Sequence, residues 1–99
     1  MPLDEERRAI ILTHTIRMVS TREFPKTICP SEVARAFSPA ELQTLDASSW
    51  RDTMDPIREV VWELRGEGQI EILQKGQVLS NEVELGDVRG PIRVRAIQK

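Results

Sequence analysis

The fold is decided by Trp50-Arg51-Asp52-Thr53-Met54-Asp55-Pro56-Ile57-Arg58-Glu59-Val60-Val61-Trp62-Glu63-Leu64-Arg65, followed by Gly66-Glu67-Gly68 and Gln69-Ile70-Glu71-Ile72-Leu73-Gln74. Trp50, Met54, Ile57, Val61 and Leu64 step by four, three, four and three, which makes one buried helical stripe with Val60 beside it. This predicts a helix over about Trp50 to Arg65. Pro56 must either kink that helix or restart it, with Asp55 as a fresh cap. Gly66-Glu67-Gly68 ends it and turns the chain. The period then changes: Ile70 and Ile72 alternate with polar residues, as in a strand with one buried face, and Lys75-Gly76 is a turn.

Working outward, Pro91 to Ile97 alternates again, with Ile92 and Val94 inward and Arg93 and Arg95 outward. Between the two strands lies a long polar connection over residues 75–90. It is expected to pair locally through Gln77-Val78-Leu79 and then become a loose tip at Ser80-Asn81-Glu82. Toward the N-terminus, Ser38-Pro39-Ala40-Glu41 is a capping box with proline at the first helical position, and predicts a helical turn through about Thr44. Leu42 and Leu45 should tuck it against the core, and Asp46-Ala47-Ser48-Ser49 is a loop. A short helix is predicted over Ser31 to Phe37, with Val33, Ala34 and Phe37 inward, and Lys26-Thr27-Ile28-Cys29 as a small edge strand before it. Glu23-Phe24-Pro25 ends a first helix, about Asp4 to Ser20, whose first turn carries Asp4, Glu5 and Glu6. Ala9, Leu12, Ile16 and Val19 form its predicted core stripe. Ile10, Ile11 and Met18 fall off that stripe, which implies either a broad core contact or a subunit interface.

Composition narrows the functional classes. The chain has 99 residues, 39% of them hydrophobic and 30% charged, with 14 basic against 16 acidic side chains and a net charge of −2. That length suits one domain over residues 1–99 with one modest core. One cysteine excludes an intrachain disulfide and a Cys-based zinc site, and one histidine excludes any site needing two imidazoles. The order of residues contains no glycine-rich phosphate loop and no nucleophile placed beside a base. A non-catalytic chain is therefore expected, with no cofactor, no metal and no membrane partner. The longest apolar run, Ala9-Ile10-Ile11-Leu12, is far short of a membrane span, and the charged start lacks an apolar signal stretch, so a cytoplasmic location is expected. Cys29 before a helix start is either small buried filler or a reactive thiol, and His14 is expected to be solvent-facing or hydrogen-bonded.

Helix, short strand, helix, helix and hairpin is the order of a winged helix-turn-helix domain, an α+β fold of three helices and a small antiparallel hairpin wing. Thr27-Ile28-Cys29-Pro30-Ser31-Glu32-Val33-Ala34-Arg35, Trp50-Arg51, Gly68-Gln69-Ile70-Glu71 with Gln74-Lys75-Gly76, and Arg89-Gly90-Pro91-Ile92-Arg93 closely resemble a small bacterial family. That family is known only as a domain of unknown function and is classed with winged helices. The resemblance runs from about residue 10 to residue 95 and implies a fold without implying an activity.

A DNA-reading winged helix places the outer face of its third helix in the major groove. Here that face carries Asp52, Asp55, Glu59 and Glu63, which oppose phosphate. Arg51, Arg58 and Arg65 form a flanking stripe at seven-residue spacing, and Arg89, Arg93, Arg95 and Lys99 follow one another at the C-terminal end with no acid among them. Two functions follow. In the first, nucleic acid is held by the wing and flanking bases: Arg51, Arg58, Lys75, Arg89, Arg93 and Arg95. The competing explanation of Arg93 and Arg95 is that they protect an open strand edge. In the second, the chain is a protein-interaction module, docking a partner or a second copy through Trp62, Ile10, Ile11 and Met18. Trp62 lies off the core stripe and is expected either to pack against the base of the wing or to anchor that partner.

Overall fold

In the computed structural model, which describes residues 3–97, the chain forms four α-helices, two short 3-10 turns and one three-stranded antiparallel sheet. Met1 and Pro2 at one end, and Gln98 and the C-terminal base Lys99 at the other, lie outside the described residues. The α+β architecture is compatible with the order of elements anticipated above.

Helix α1 (Glu5–Thr21) starts where its charges require, with the Asp4 carboxylate accepting the Arg7 N–H at 2.8 Å and Glu5 and Glu6 in the first turn. Its buried spine is Ile11, Thr15 and Val19, which corrects the stripe expected on Ala9, Leu12, Ile16 and Val19. Ala9 is exposed, and Leu12 and Ile16 are half-buried flanks. The helix is rotated because Thr15 tolerates burial: its hydroxyl donates to the Ile11 carbonyl at 2.8 Å, so no polar atom is left unpaired. Ile11, at 0% exposure, therefore belongs to the core and leaves the candidate partner surface. Ile10 and Met18 are half-buried at the margins of the same core.

Helix α2 (Pro30–Ala36) buries Val33 and Ala34, with Phe37 just beyond its end. Helix α3 (Pro39–Thr44) has the expected reciprocal cap, in which the Ser38 hydroxyl accepts the Glu41 N–H at 3.1 Å and the Glu41 carboxylate accepts the Ser38 N–H at 2.9 Å. Leu45 follows it into the core at 0% exposure. The predicted helix over Trp50 to Arg65 is divided into a 3-10 turn, Trp50–Thr53, and helix α4 (Met54–Gly66). Pro56 falls in the first turn of α4, where a missing N–H costs nothing, so the chain restarts there and does not kink. The N-cap is Thr53, two residues before the expected cap Asp55. Ile57, Val60, Val61 and Leu64 are each at most 1% exposed.

Strand β1 (Ile70–Gln74) is central, with β2 (Gln77–Val78) on one side and β3 (Arg93–Ala96) on the other. The register pairs Ile72 with Val94 and Glu71 with Arg95. Alternation then turns Ile70, Ile72 and Val94 toward the helices and leaves Glu71, Leu73, Val78, Arg93 and Arg95 on the outer face. The expected edge strand at Lys26 to Cys29 is a single bridge, Ile28 to Val94, with N–H···O bonds of 2.7 and 2.8 Å. Strand β3 therefore has a neighbour on each side at Val94.

The connection after β2 is not the loose tip that its polarity suggests. Leu79 continues the pairing by donating its N–H to the Ile72 carbonyl at 2.8 Å. The Arg65 guanidinium donates to the carbonyls of Ser80 and Asn81 at 3.3 and 3.2 Å, and the Trp62 indole N–H to that of Val83 at 3.1 Å. Donors on α4 thus fix the segment from below, and a 3-10 turn over Leu85–Asp87 completes it. Among the described residues no helix is long and apolar enough to cross a membrane.

Candidate functional site

Strand alternation sends Arg93 and Arg95 to the outer face of the sheet, where both are tied down. The Arg95 Nε lies 3.3 Å from the carboxylate of its cross-strand partner Glu71, and its guanidinium carbon is 4.7 Å from the Phe24 ring. Arg93 donates from Nε to the Thr27 hydroxyl at 2.8 Å and from Nη2 to the Thr27 carbonyl at 3.1 Å. Arg22, which follows α1, reaches that same carbonyl at 3.5 Å and the Glu32 carboxylate at 2.7 Å. Two guanidinium groups thus meet on one carbonyl oxygen. The Glu32 carboxyl is held below its ordinary range, first by the Cys29 N–H it accepts at 2.7 Å, then by Arg22, with Arg93 adding a little. It stays ionised and offsets part of the positive charge. Three guanidiniums here face two carboxylates, while Lys26 and Glu23 in the same connection cancel one another.

One turn along α2 from Glu32, on the same helix face, stands Arg35. Its guanidinium carbon is 4.6 Å from the centroid of the Trp50 ring, and that of Arg51 is also 4.6 Å from the same ring. Arg35 and Arg51 are exposed, Trp50 is half-buried against the core, and neither arginine has a carboxylate partner among the described residues. A strip of arginines therefore runs from β3 through the end of α1 and across α2 to the turn that precedes α4.

The six bases predicted from the sequence divide accordingly. Arg51, Arg93 and Arg95 lie on this strip. Arg58, Arg89 and Lys75 share no contact with it among the described residues. Arg58 is half-buried and its Nη2 is 3.5 Å from the Gly90 carbonyl, in a groove that it shares with Asp55, Glu59, Leu85 and Val88. Arg89 is exposed, and its carbonyl accepts the Gln74 side-chain amide at 2.6 Å. Lys75 occupies the adjoining turn with φ of 52°. Arg65, the third of the seven-residue stripe, is 9% exposed and has no outward role.

Arg22, Arg35 and Trp50 were not visible as site residues in the sequence. Glu32 and Arg35 at helical spacing were a usable signal; the meeting of Arg22 with Arg93 was not, because it is made by the fold. Trp50 does belong to the core stripe, but its ring also carries the two guanidiniums.

The outer face of α4 is acidic as expected, with Asp55, Glu59 and Glu63 exposed, and Asp52 is exposed on the 3-10 turn before it. Glu63 pairs with Arg8 at 2.6 Å, and Asp52 accepts the N–H groups of Ser48 and Ser49. Trp62 is half-buried, with Arg65 5.2 Å from its ring, and it packs against the base of the hairpin connection. The Cys29 sulfur accepts the Ser31 hydroxyl at 3.1 Å. His14 Nε2 lies 2.8 Å from the Glu41 carboxylate, with its ring edge-on to Phe37. The described residues include no group of three or more His, Cys, Asp or Glu able to hold a metal ion.

No curated protein matches the chain. A family model matches residues 8–97, a span that includes the Thr27–Arg35, Gly68–Gly76 and Arg89–Arg93 segments, and the chain belongs to the family described as "Protein of unknown function (DUF3253)".

Proposed function

We propose that this chain is a winged-helix, non-catalytic nucleic-acid-binding module that grips the polyanion with the outer face of its sheet and not with α4. The observation that carries the reading is the meeting of Arg22 and Arg93 on the Thr27 carbonyl. Two like charges on one neutral acceptor repel, and Glu32 offsets only part of that. A phosphate oxygen at this place would accept N–H donors from both guanidiniums, whose planar forks suit phosphate geometry. The second support is the bridge at Ile28. With β3 covered on that side, Arg93 and Arg95 are poorly explained as guards of an open edge. The acidic outer face of α4 speaks against insertion into a major groove. The rival reading, a protein-interaction module, draws less support, because Trp62 and Ile11 are occupied internally.

The test is titration of a labelled duplex of about two helical turns by fluorescence anisotropy, from low to physiological salt. Binding should weaken steeply with salt, and Arg93→Glu with Arg95→Glu should lower affinity by about tenfold or more while flattening the salt slope. An affinity no better than about millimolar at low salt would overturn the reading, since even non-specific binders do better than that.

A further inference from the structure

We infer that Arg35, Trp50 and Arg51 form a second phosphate-backbone contact, so that a bound nucleic acid crosses α2 toward the turn preceding α4. This rests on the reading above and adds a location and a path to it. The residues come from the C-terminal turn of α2 and from the 3-10 turn Trp50–Thr53, two elements that pack against each other. Each guanidinium carbon lies 4.6 Å from the centroid of one indole. Two cations on the same ring repel each other, and the ring's negative face compensates only in part. The carboxylate nearest in sequence, Asp52, is taken up by the N–H groups of Ser48 and Ser49. The two guanidiniums are therefore held together on one ring, and neither forms an ion pair within 4.0 Å among the described residues, a repulsion that a bound anion would relieve.

Holding an arginine in place also matters for affinity. A free arginine loses much rotamer freedom when it is ordered by a ligand, and a guanidinium already resting on an indole loses less. The ligand class follows from continuity. Glu32 and Arg35 share one face of α2, with Arg22 and Arg93 gathered at Glu32 and Arg51 reached through Trp50. A chain of repeated phosphates matches charges spaced along such a strip, whereas a single small anion would occupy only one end. The shared chemistry is the phosphodiester backbone of DNA or RNA. Contacts of that kind position a strand without reading its sequence.

The experiment uses the full chain, three probes of equal length (duplex DNA, duplex RNA and a single strand) and two scrambled sequences of each. Arg35→Gln and Arg51→Gln should each lower affinity about three- to tenfold on every sequence of the preferred polymer, and reduce the salt slope by about one. Trp50→Leu leaves the net charge unchanged and should still lower affinity several-fold by releasing both guanidiniums; circular dichroism checks that it folds. If Trp50→Leu unfolds, the two arginine variants decide. The probe bound most tightly identifies the polymer. Binding that is weakened by Arg93→Glu with Arg95→Glu but unchanged by Arg35→Gln and Arg51→Gln overturns this contact and leaves the sheet-face reading standing. A loss confined to one sequence also overturns it, because it would mean base contact. If wild type binds none of the probes, both readings fall together.

Discussion

Thr15 is fully buried, yet it costs the fold little, because its hydroxyl donates to the carbonyl of Ile11 one turn back. That bond lets Thr15 stand on the inward side of α1 between Ile11 and Val19. A hydrophobic stripe read by residue type excludes threonine and so places the core on Ala9, Leu12, Ile16 and Val19; the structure keeps Val19 and turns Ile11 and Thr15 inward with it. Polarity belongs to a residue by itself, whereas burial depends on whether a hydrogen-bond partner lies within reach. The consequence can be measured by urea unfolding. Ile11→Ala should cost about 2–4 kcal/mol, as expected for a branched side chain removed from a packed core. Ile10→Ala, at the margin, should cost less than about half as much, because much of its side chain already faces water. Equal losses at the two positions would restore the broad apolar face, with Ile11 no more central than Ile10.

At the scale of elements, the parts read correctly from the sequence are those determined within a few residues. The Ser38–Glu41 cap is complete within one turn, and α3 ends at Thr44 as its pattern predicts. The restart at Pro56 was likewise one of two outcomes that a proline in a helical pattern allows. The connection after β2 is not legible in its own residues, because its order comes from elsewhere. Trp62 and Arg65 lie 21 and 15 residues before the carbonyls they bind at Val83 and Ser80, and no local pattern in residues 80–88 announces those donors. Arg65 is the firmer of the two, since its charged donors are buried and engage two successive carbonyls. Arg65→Met keeps much of the apolar stem and removes both bonds. It should cost about 1–3 kcal/mol. The more specific readout is hydrogen exchange at the amides of Val83, Asp87 and Val88, whose own acceptors lie within the segment. They should exchange faster in the variant while the amides of β1 stay protected. Unchanged exchange at these amides would mean that the segment holds itself without α4.

For the whole molecule the decisive quantity is the arrangement of charge and not its sum. A net charge of −2 argues against a polyanion ligand only if the charges are mixed evenly, and they are not. Exposed acids line α4, and arginines gather across the outer sheet face and α2, a surface made by contacts such as Arg93 with Thr27, 66 residues apart in sequence. Composition and local pattern could find the acidic face, because one helix carries it. They could not assemble the arginine strip, which the end of α1, helix α2, the 3-10 turn before α4 and strand β3 build together. If nucleic acid lies along that strip, the α4 carboxylates act on it only through the general field and not by contact. Charges separated by more than about 8–10 Å are largely screened at physiological salt and act strongly only at low ionic strength. Asp55→Asn with Glu59→Gln should therefore tighten binding a few-fold at about 10 mM salt and leave it nearly unchanged at about 150 mM. These two acids suit the test because neither caps a helix nor forms an ion pair within 4.0 Å among the described residues, whereas Asp52 and Glu63 are engaged. Were α4 itself the element in the groove, removing two carboxylates from the contact would raise affinity at both salt concentrations. A gain of about tenfold that persists at physiological salt would thus place the nucleic acid on α4 and remove it from the sheet face.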